Sequence, residues 1–253
     1  MSHPKKSPKK PPKQGGPKRS DNTAAKSAKP AAQPGPANQH RDDFWNIRLL
    51  TAQEALEKGN FICHIVSDLA EARKLVLETI IPSHQPESAS WGGSMTFKES
   101  GLVEAIKGLG TIKVLDTYDT SLPNEQRLEM RRQALLVDMF FTGSNAVTED
   151  GALVNLDMIG NRVGALAFGP KKVVVLAGRN KVVAGLDEAM FRIKEYAAPA
   201  NAMKLNKKTP CLKTSHCQDC SSEDRICNTW VINEKSWPKA RIEVILINQD
   251  LGL

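Results

Sequence analysis

The chain is poor in aromatics, which make up 5% of its 253 residues, and it holds no apolar run long enough to cross a bilayer as a helix. Its first 40 residues contain eight prolines and lack Leu, Ile, Val, Phe and Trp altogether. With no apolar surface to bury, such a segment has nothing to offset the entropy of ordering. Residues 1–41 are therefore expected to form a disordered, basic, Pro-, Lys- and Ala-rich tail. The apolar stretch of a secretory signal is missing there too, and a cytoplasmic protein is expected. Acidic residues are scarce in the same region. Residues 1–41 carry ten Lys or Arg against Asp21 alone, a net of +9, so the other 212 residues total −2 within the +7 of the whole chain. A tail without Phe, Tyr or Trp offers no platform for base stacking, which leaves nonspecific contact with polyanions as its expected interaction.

From residue 42 onward the texture is different. Short apolar runs alternate with helical patterns, the signature of a single α/β domain over 42–253. A helix over 43–58 is followed by the strand FICHIV and by a second helix with Asp68 as its N-cap. Ser88 to Trp91 forms a short strand that leads through glycines to a helix over 97–108. TIKVLD is the next strand, a helix follows over 123–136, and VDMFFTG is a buried strand. NAVTEDGALVN folds back on itself at Asp150-Gly151, a two-residue hairpin signal. KKVVVLAG is strongly β-branched. The terminal segments TWVINEK and RIEVILIN are expected to be antiparallel partners. The order predicts a mostly parallel sheet with helices on both faces and antiparallel additions at the hairpin and the C-terminus.

In open α/β sheets ligands sit at the carboxyl ends of strands, so loops between a strand and the following helix come first. In the loop after Trp91, Gly92, Gly93, Ser94 and Thr96 offer backbone and hydroxyl donors to an anion, with Thr96 and Glu99 at capping-box spacing. A simple tight turn before a capped helix has the same sequence. A second loop, Thr142, Gly143, Ser144 and Asn145, follows VDMFF. A third leads to Asn161 and Arg162, where an Arg in the first turn of a helix opposes the helix dipole. Pairing with an anionic ligand accounts for it, as does pairing with Asp157 or Glu149. Those two carboxylates are the candidates for acid or base work. Cys63, inside a strand, reads as an inert buried thiol, and His84 has no expected partner.

The most specific spacing lies near the C-terminus, in a segment over 204–228. Cys211, Cys217, Cys220 and Cys227 follow C-x5-C-x2-C-x6-C. Four thiolates complete a tetrahedral zinc site or anchor an iron-sulfur cluster, and this spacing does not separate the two. A redox pair at Cys217 and Cys220 needs only the central C-x2-C, and His216 is a substitute ligand. Nearby Lys204, Lys207, Lys208, Lys213 and Arg225 are expected to favour thiolates.

The sequence also resembles the lactate-utilization (LUD) domain family of bacteria. WGGSMT, KESGL, DTYD, FFTGSNAVTEDGALVNLDMIGNRVGALAFGPKKVVVLAG, RICNTWVINEK and INQDLGL carry the resemblance, which runs from about Trp45 to Leu253. It implies a fold like that of the glucosamine-phosphate isomerase, ribose-phosphate isomerase and CoA-transferase group. It also implies a part in oxidising lactate to pyruvate beside an iron-sulfur protein and other subunits, without implying that this component is itself the catalyst. The four-cysteine segment marks a subgroup of that family. A fainter similarity to sugar-phosphate isomerases runs through TGSNAVTEDGALVN and GNRVGALA, but Asn145 stands where those enzymes carry Asp. The alternatives are an autonomous isomerase or CoA-transfer-like enzyme acting on an anionic small molecule, and a metal-stabilised interaction module.

Overall fold

The computed structural model describes the backbone from Pro36 to Leu253 and side chains from residue 39 onward. The expected disordered tail lies almost wholly outside the described residues. Helix α1 (Pro36–Lys58) starts earlier than residue 43 and buries Leu49, Ala52 and Leu56 along one stripe. Strand β1 (Ile62–Val66) leads to α2 (Leu69–Leu75), whose N-cap Asp68 accepts from the Glu71 N–H. A π-turn over Val76–Ile80 joins α2 to α3 (Ile81–His84). Strand β2 (Ser88–Trp91) is followed by α4 (Met95–Glu99) and α5 (Leu102–Gly108). The single helix expected over 97–108 is thus two, broken at Gly101, whose φ of 66° no helical residue adopts.

Strand β3 (Lys113–Leu115) and α6 (Asn124–Gln133) precede β4 (Met139–Gly143), β5 (Ala146–Thr148) and β6 (Leu153–Asp157). Then come α7 (Asn161–Ala167), β7 (Lys172–Gly178) and β8 (Val182–Val183). Helices α8 (Leu186–Arg192) and α9 (Ala198–Lys204) are joined by a second π-turn. The chain continues through α10 (Cys211–Thr214) to β9 (Thr229–Asn233) and β10 (Ile242–Ile247).

Six strands form one sheet in the order β1-β10-β7-β4-β2-β3, and every pairing in it is parallel. Its middle strands β4, β7 and β10 are buried at every position, as strands covered on both faces must be. Alternation divides their side chains between two cores. Phe140, Val173, Val175 and Leu246 pack on one face with Leu49 and Leu56 of α1 and Leu166 of α7. Phe141, Val174, Leu176 and Ile245 pack on the other with Val76, Phe97 and Leu102. The α/β architecture, helices on both faces of a mostly parallel sheet, is the one the residue pattern predicts.

A second, four-stranded sheet has the order β8-β5-β6-β9. Here the expected pairing of the last two strands is corrected: β9 pairs antiparallel with β6, whereas β10 inserts in parallel between β1 and β7. The apolar run IEVILI belongs in the buried centre, while β9 is only partly buried and suits an edge. The β5-β6 hairpin has three loop residues, 149–151, because the Thr148 N–H bonds the Ala152 carbonyl. Gly151 supplies the left-handed position that such a loop requires, at φ 95°.

Candidate functional site

The connections leaving β2 and β4 diverge, β2 feeding the edge strand β3 and β4 feeding strands on its other side. Adjacent strands whose connections part in this way leave a crevice at their carboxyl ends. A cavity of about 540 Å³ occupies it, and Gly93, Ser94, Gly143, Ser144, Asn145, Asn161 and Arg162 are all in its wall. Three separate loops are thereby brought to one place. Gly92, Thr96 and Thr142 are buried and do not line the cavity.

The helix after β2 is capped by Ser94, whose Oγ accepts from the Phe97 N–H at 3.2 Å, in place of the expected Thr96–Glu99 capping box. The Ser94 N–H donates to the Tyr118 hydroxyl, which in turn donates to the Gly92 carbonyl at 2.8 Å. Burial pushes the Tyr118 phenol above its ordinary pKa, so it stays a neutral donor. Two of the glycines admit neighbouring side chains. A Cβ at Gly92 would lie 3.0 Å from Arg162 Cγ, and one at Gly143 would lie 2.5 Å from Ser94 Oγ. Gly93, like Gly160 of the third loop, opens onto free space.

Arg162 is a clamp. Its Nε pairs with Asp157 Oδ1 at 3.2 Å, Nη1 donates to the Gly143 carbonyl and to Asn155 Oδ1, and Nη2 donates to Asn145 Oδ1 at 2.8 Å and the Leu156 carbonyl at 3.1 Å. All five guanidinium hydrogens are therefore used within the protein. Asp157 is equally committed, since its Oδ2 accepts from the Arg162 and Val163 N–H groups and caps α7. Asn145 Oδ1 also accepts from the Leu156 N–H, which fixes the amide orientation. The free acid or base expected at Asp157 is therefore a cap and counter-ion. Glu149 is away from the cavity, at the hairpin, paired with Arg48 of α1.

The residue that sequence reasoning missed is Lys181, just after β7. It is 5% exposed, its Nζ reaches Thr96 Oγ1 at 2.9 Å, and it lines the cavity. Burial, followed by the charges of Arg192 and Arg162, pushes its pKa down from 10.5 to about 7. Lys98, Arg127, Arg131 and Lys204 add cationic groups from α4, α6 and α9. Burial lowers the Lys204 pKa as well, with Lys98 contributing. Against these six cations the wall holds one acidic side chain, Asp157, already bonded to Arg162. Sequence spacing gave no signal for this convergence, because the cations sit on five elements spread along the chain.

The four cysteines line a second, much smaller cavity of about 20 Å³, together with Arg225, Ile226 and residues of α9. As their side chains stand, no three His, Cys, Asp or Glu groups among the described residues form a metal-holding group. His216 turns away to Glu195. Lys207 pairs with Asp224 and Lys204 faces the larger cavity, so of the expected cations only Arg225 lines the cysteine cavity. Burial pushes the Cys227 thiol up, opposed by Arg225 and Lys194. Cys63 is remote and buried, its thiol pushed up to about 12, as suits an inert core residue. His84 bonds Ser83 Oγ and the Ile80 carbonyl.

The fold and the site define an α/β protein with a cation-lined cavity at the carboxyl edge of a parallel sheet. The chain belongs to the LUD domain family, whose model matches residues 50–247. Among solved structures it is similar to a DUF162 family protein from Deinococcus radiodurans, with 14% identity over 80% of this chain and 98% of that one and a TM-score of 0.46. It is also similar to eIF2B delta from Chaetomium thermophilum, with 17% identity over 61% of this chain and 55% of that one and a TM-score of 0.30. No curated protein matches it. Among the described residues no helix is long and apolar enough to cross a membrane.

Proposed function

We propose that this protein is a cytoplasmic component or accessory of lactate oxidation that binds a small organic anion in the cavity between β2, β4 and α7, beside an iron-sulfur partner. Family membership supports the lactate-utilization setting. The observation that supports the anion is the six-to-one excess of cationic over acidic side chains around a largely pre-formed cavity. Walls of low polarisability concentrate such a field on the opening and raise local anion concentration. Arg162 and Asp157 hold the loops in register, and the ligand's own contacts fall to Lys181, the Asn145 amide and the cations at the rim. Calorimetry at low ionic strength with lactate, pyruvate and phosphorylated three-carbon acids tests the binding. Salt-sensitive binding weakened about tenfold or more by Arg131→Gln is expected. If every anion in that panel binds wild type and variant alike, or none binds, the cavity assignment is wrong. Unchanged cellular lactate oxidation after gene deletion would remove the pathway assignment.

Lys181 favours a second reading, an enzyme of isomerase or acyl-transfer type. A lysine lowered to about 7 is poised to accept a proton at neutral pH. In that case a phosphorylated or CoA-linked compound is consumed by the isolated protein, with a rate that rises through the Lys181 titration. Absence of turnover with such compounds leaves the lysine as a binding group.

A further inference from the structure

The small cysteine cavity lies back to back with the large one. Ile226 lines both, and α9 forms a shared wall, with Ala198 and Ala202 facing the cysteines and Asn201 and Lys204 facing the anion cavity. We propose that Cys211, Cys217, Cys220 and Cys227 hold a single divalent ion of the zinc class, and that this ion fixes the α9–Ile226 wall of the anion cavity.

The four thiols line one cavity of about 20 Å³. One ion with thiolates at about 2.3 Å is the smallest guest that satisfies all four. The cysteine loop is shaped for such a guest. Asp219, at φ 42°, turns its N–H back to Cys217 Sγ at 3.4 Å, which places one backbone donor on the first sulfur of the C-x2-C pair. Thr209 Oγ1 lies 3.1 Å from Cys211 Sγ. Arg225 closes the far side, donating to the Cys220 and Cys227 carbonyls and pairing with Asp219, which also pairs with Lys194.

The charges balance. Four thiols release four protons to solvent as they bind a divalent ion, leaving a net of −2 beside Arg225 and Lys194. No oxidant or reductant is involved. Because no three of the described side chains are yet gathered into a metal-holding group, loading draws the sulfurs inward across the cavity they line.

The full-length protein, purified without chelator, is assayed for zinc, iron and acid-labile sulfide. About one zinc per chain, released by a mercurial reagent, is the expected result, with Cys217→Ser and Cys220→Ser bringing it close to zero and Cys63→Ser leaving it unchanged. Should the serine variants fail to fold, the wild type still decides the matter. Chelated protein titrated with zinc chloride in weak buffer is expected to release about four protons per zinc and to lose the reactivity of its four thiols outside the core, Cys63 being buried, toward a disulfide probe. Iron accompanied by labile sulfide overturns the single-ion assignment. So do four thiols that stay reactive in excess zinc. Hydrogen exchange at Ile226 and α9 reads the second half of the proposal: slower exchange on zinc loading is expected, and unchanged exchange refutes the link to the wall.

Discussion

Replacing Lys181 with Met keeps the length of the apolar stem and removes the charge. In the folded protein the lysine pKa falls from 10.5 to about 7, mainly through burial. At roughly 1.4 kcal/mol per unit, holding the cation in the fold at neutral pH costs about 4 kcal/mol. The variant forfeits the bond to Thr96 Oγ1, worth about 1 kcal/mol. Lys181→Met is therefore expected to be more stable than wild type by about 3 kcal/mol at pH 7, while anion affinity drops tenfold or more. The pH dependence is specific. A base whose folded pKa lies below its unfolded value binds more protons when unfolded, so wild-type stability rises with pH between about 7 and 10.5. The advantage of the variant should be fully present below pH 7 and fade as pH rises toward 10.5. Denaturant melts of both proteins at pH 6, 8 and 10 measure the difference. A variant less stable than wild type at pH 7, or a difference that stays flat across the series, refutes the account of Lys181 as a cation held against its solvation.

Arg162→Lys retains one charge but cannot span Asp157, Asn155, Asn145 and two carbonyls, and it should cost about 3 kcal/mol in denaturant melts and abolish anion binding. An effect below about 1 kcal/mol would contradict the clamp. Gly151→Ala places a Cβ 2.7 Å from the Ala55 backbone at a positive φ, and a loss of about 2 kcal/mol or more in stability is expected, with the cavity unaffected in anion titration. Asp138 is held down to about 2 by Lys171 and by Ser88. Its contribution to stability is present above its ordinary 3.8 and lost as pH falls through about 2, so Asp138→Asn should flatten that part of the acid-unfolding curve. Identical acid curves for the two proteins would exclude it.

Local chemistry made much of the fold legible. β-Branched runs marked β7 and β10, Asp68 marked a helix start, and Asp150-Gly151 marked the hairpin, because these signals act over a few residues. The three loops of the cavity were found by the same reasoning, each from its glycines and polar side chains after a strand. The four cysteines were singled out by their spacing, and the structure places them around one small cavity. Partner choice was not legible. RIEVILIN reads equally well as a hairpin arm or a central parallel strand, and only burial between β1 and β7 settled which. Gly92 and Gly143 read as loop glycines after a strand, and only the tertiary structure shows that they also make room for Arg162 and Ser94, a matter of which loops touch.

The amino-acid sequence by itself determined the family, the alternation of helices and strands, and the kinds of side chain that the strand ends present. Tertiary structure decided what those side chains do. It closed all five donors of Arg162 on protein acceptors, buried Lys181 within reach of Thr96, and gathered Lys98, Arg127, Arg131 and Lys204 around one opening. Charge and desolvation depend on distance through space, and residues 83 or more apart in the chain, such as Lys98 and Lys181, meet only where the sheet order brings β2, β4 and β7 side by side.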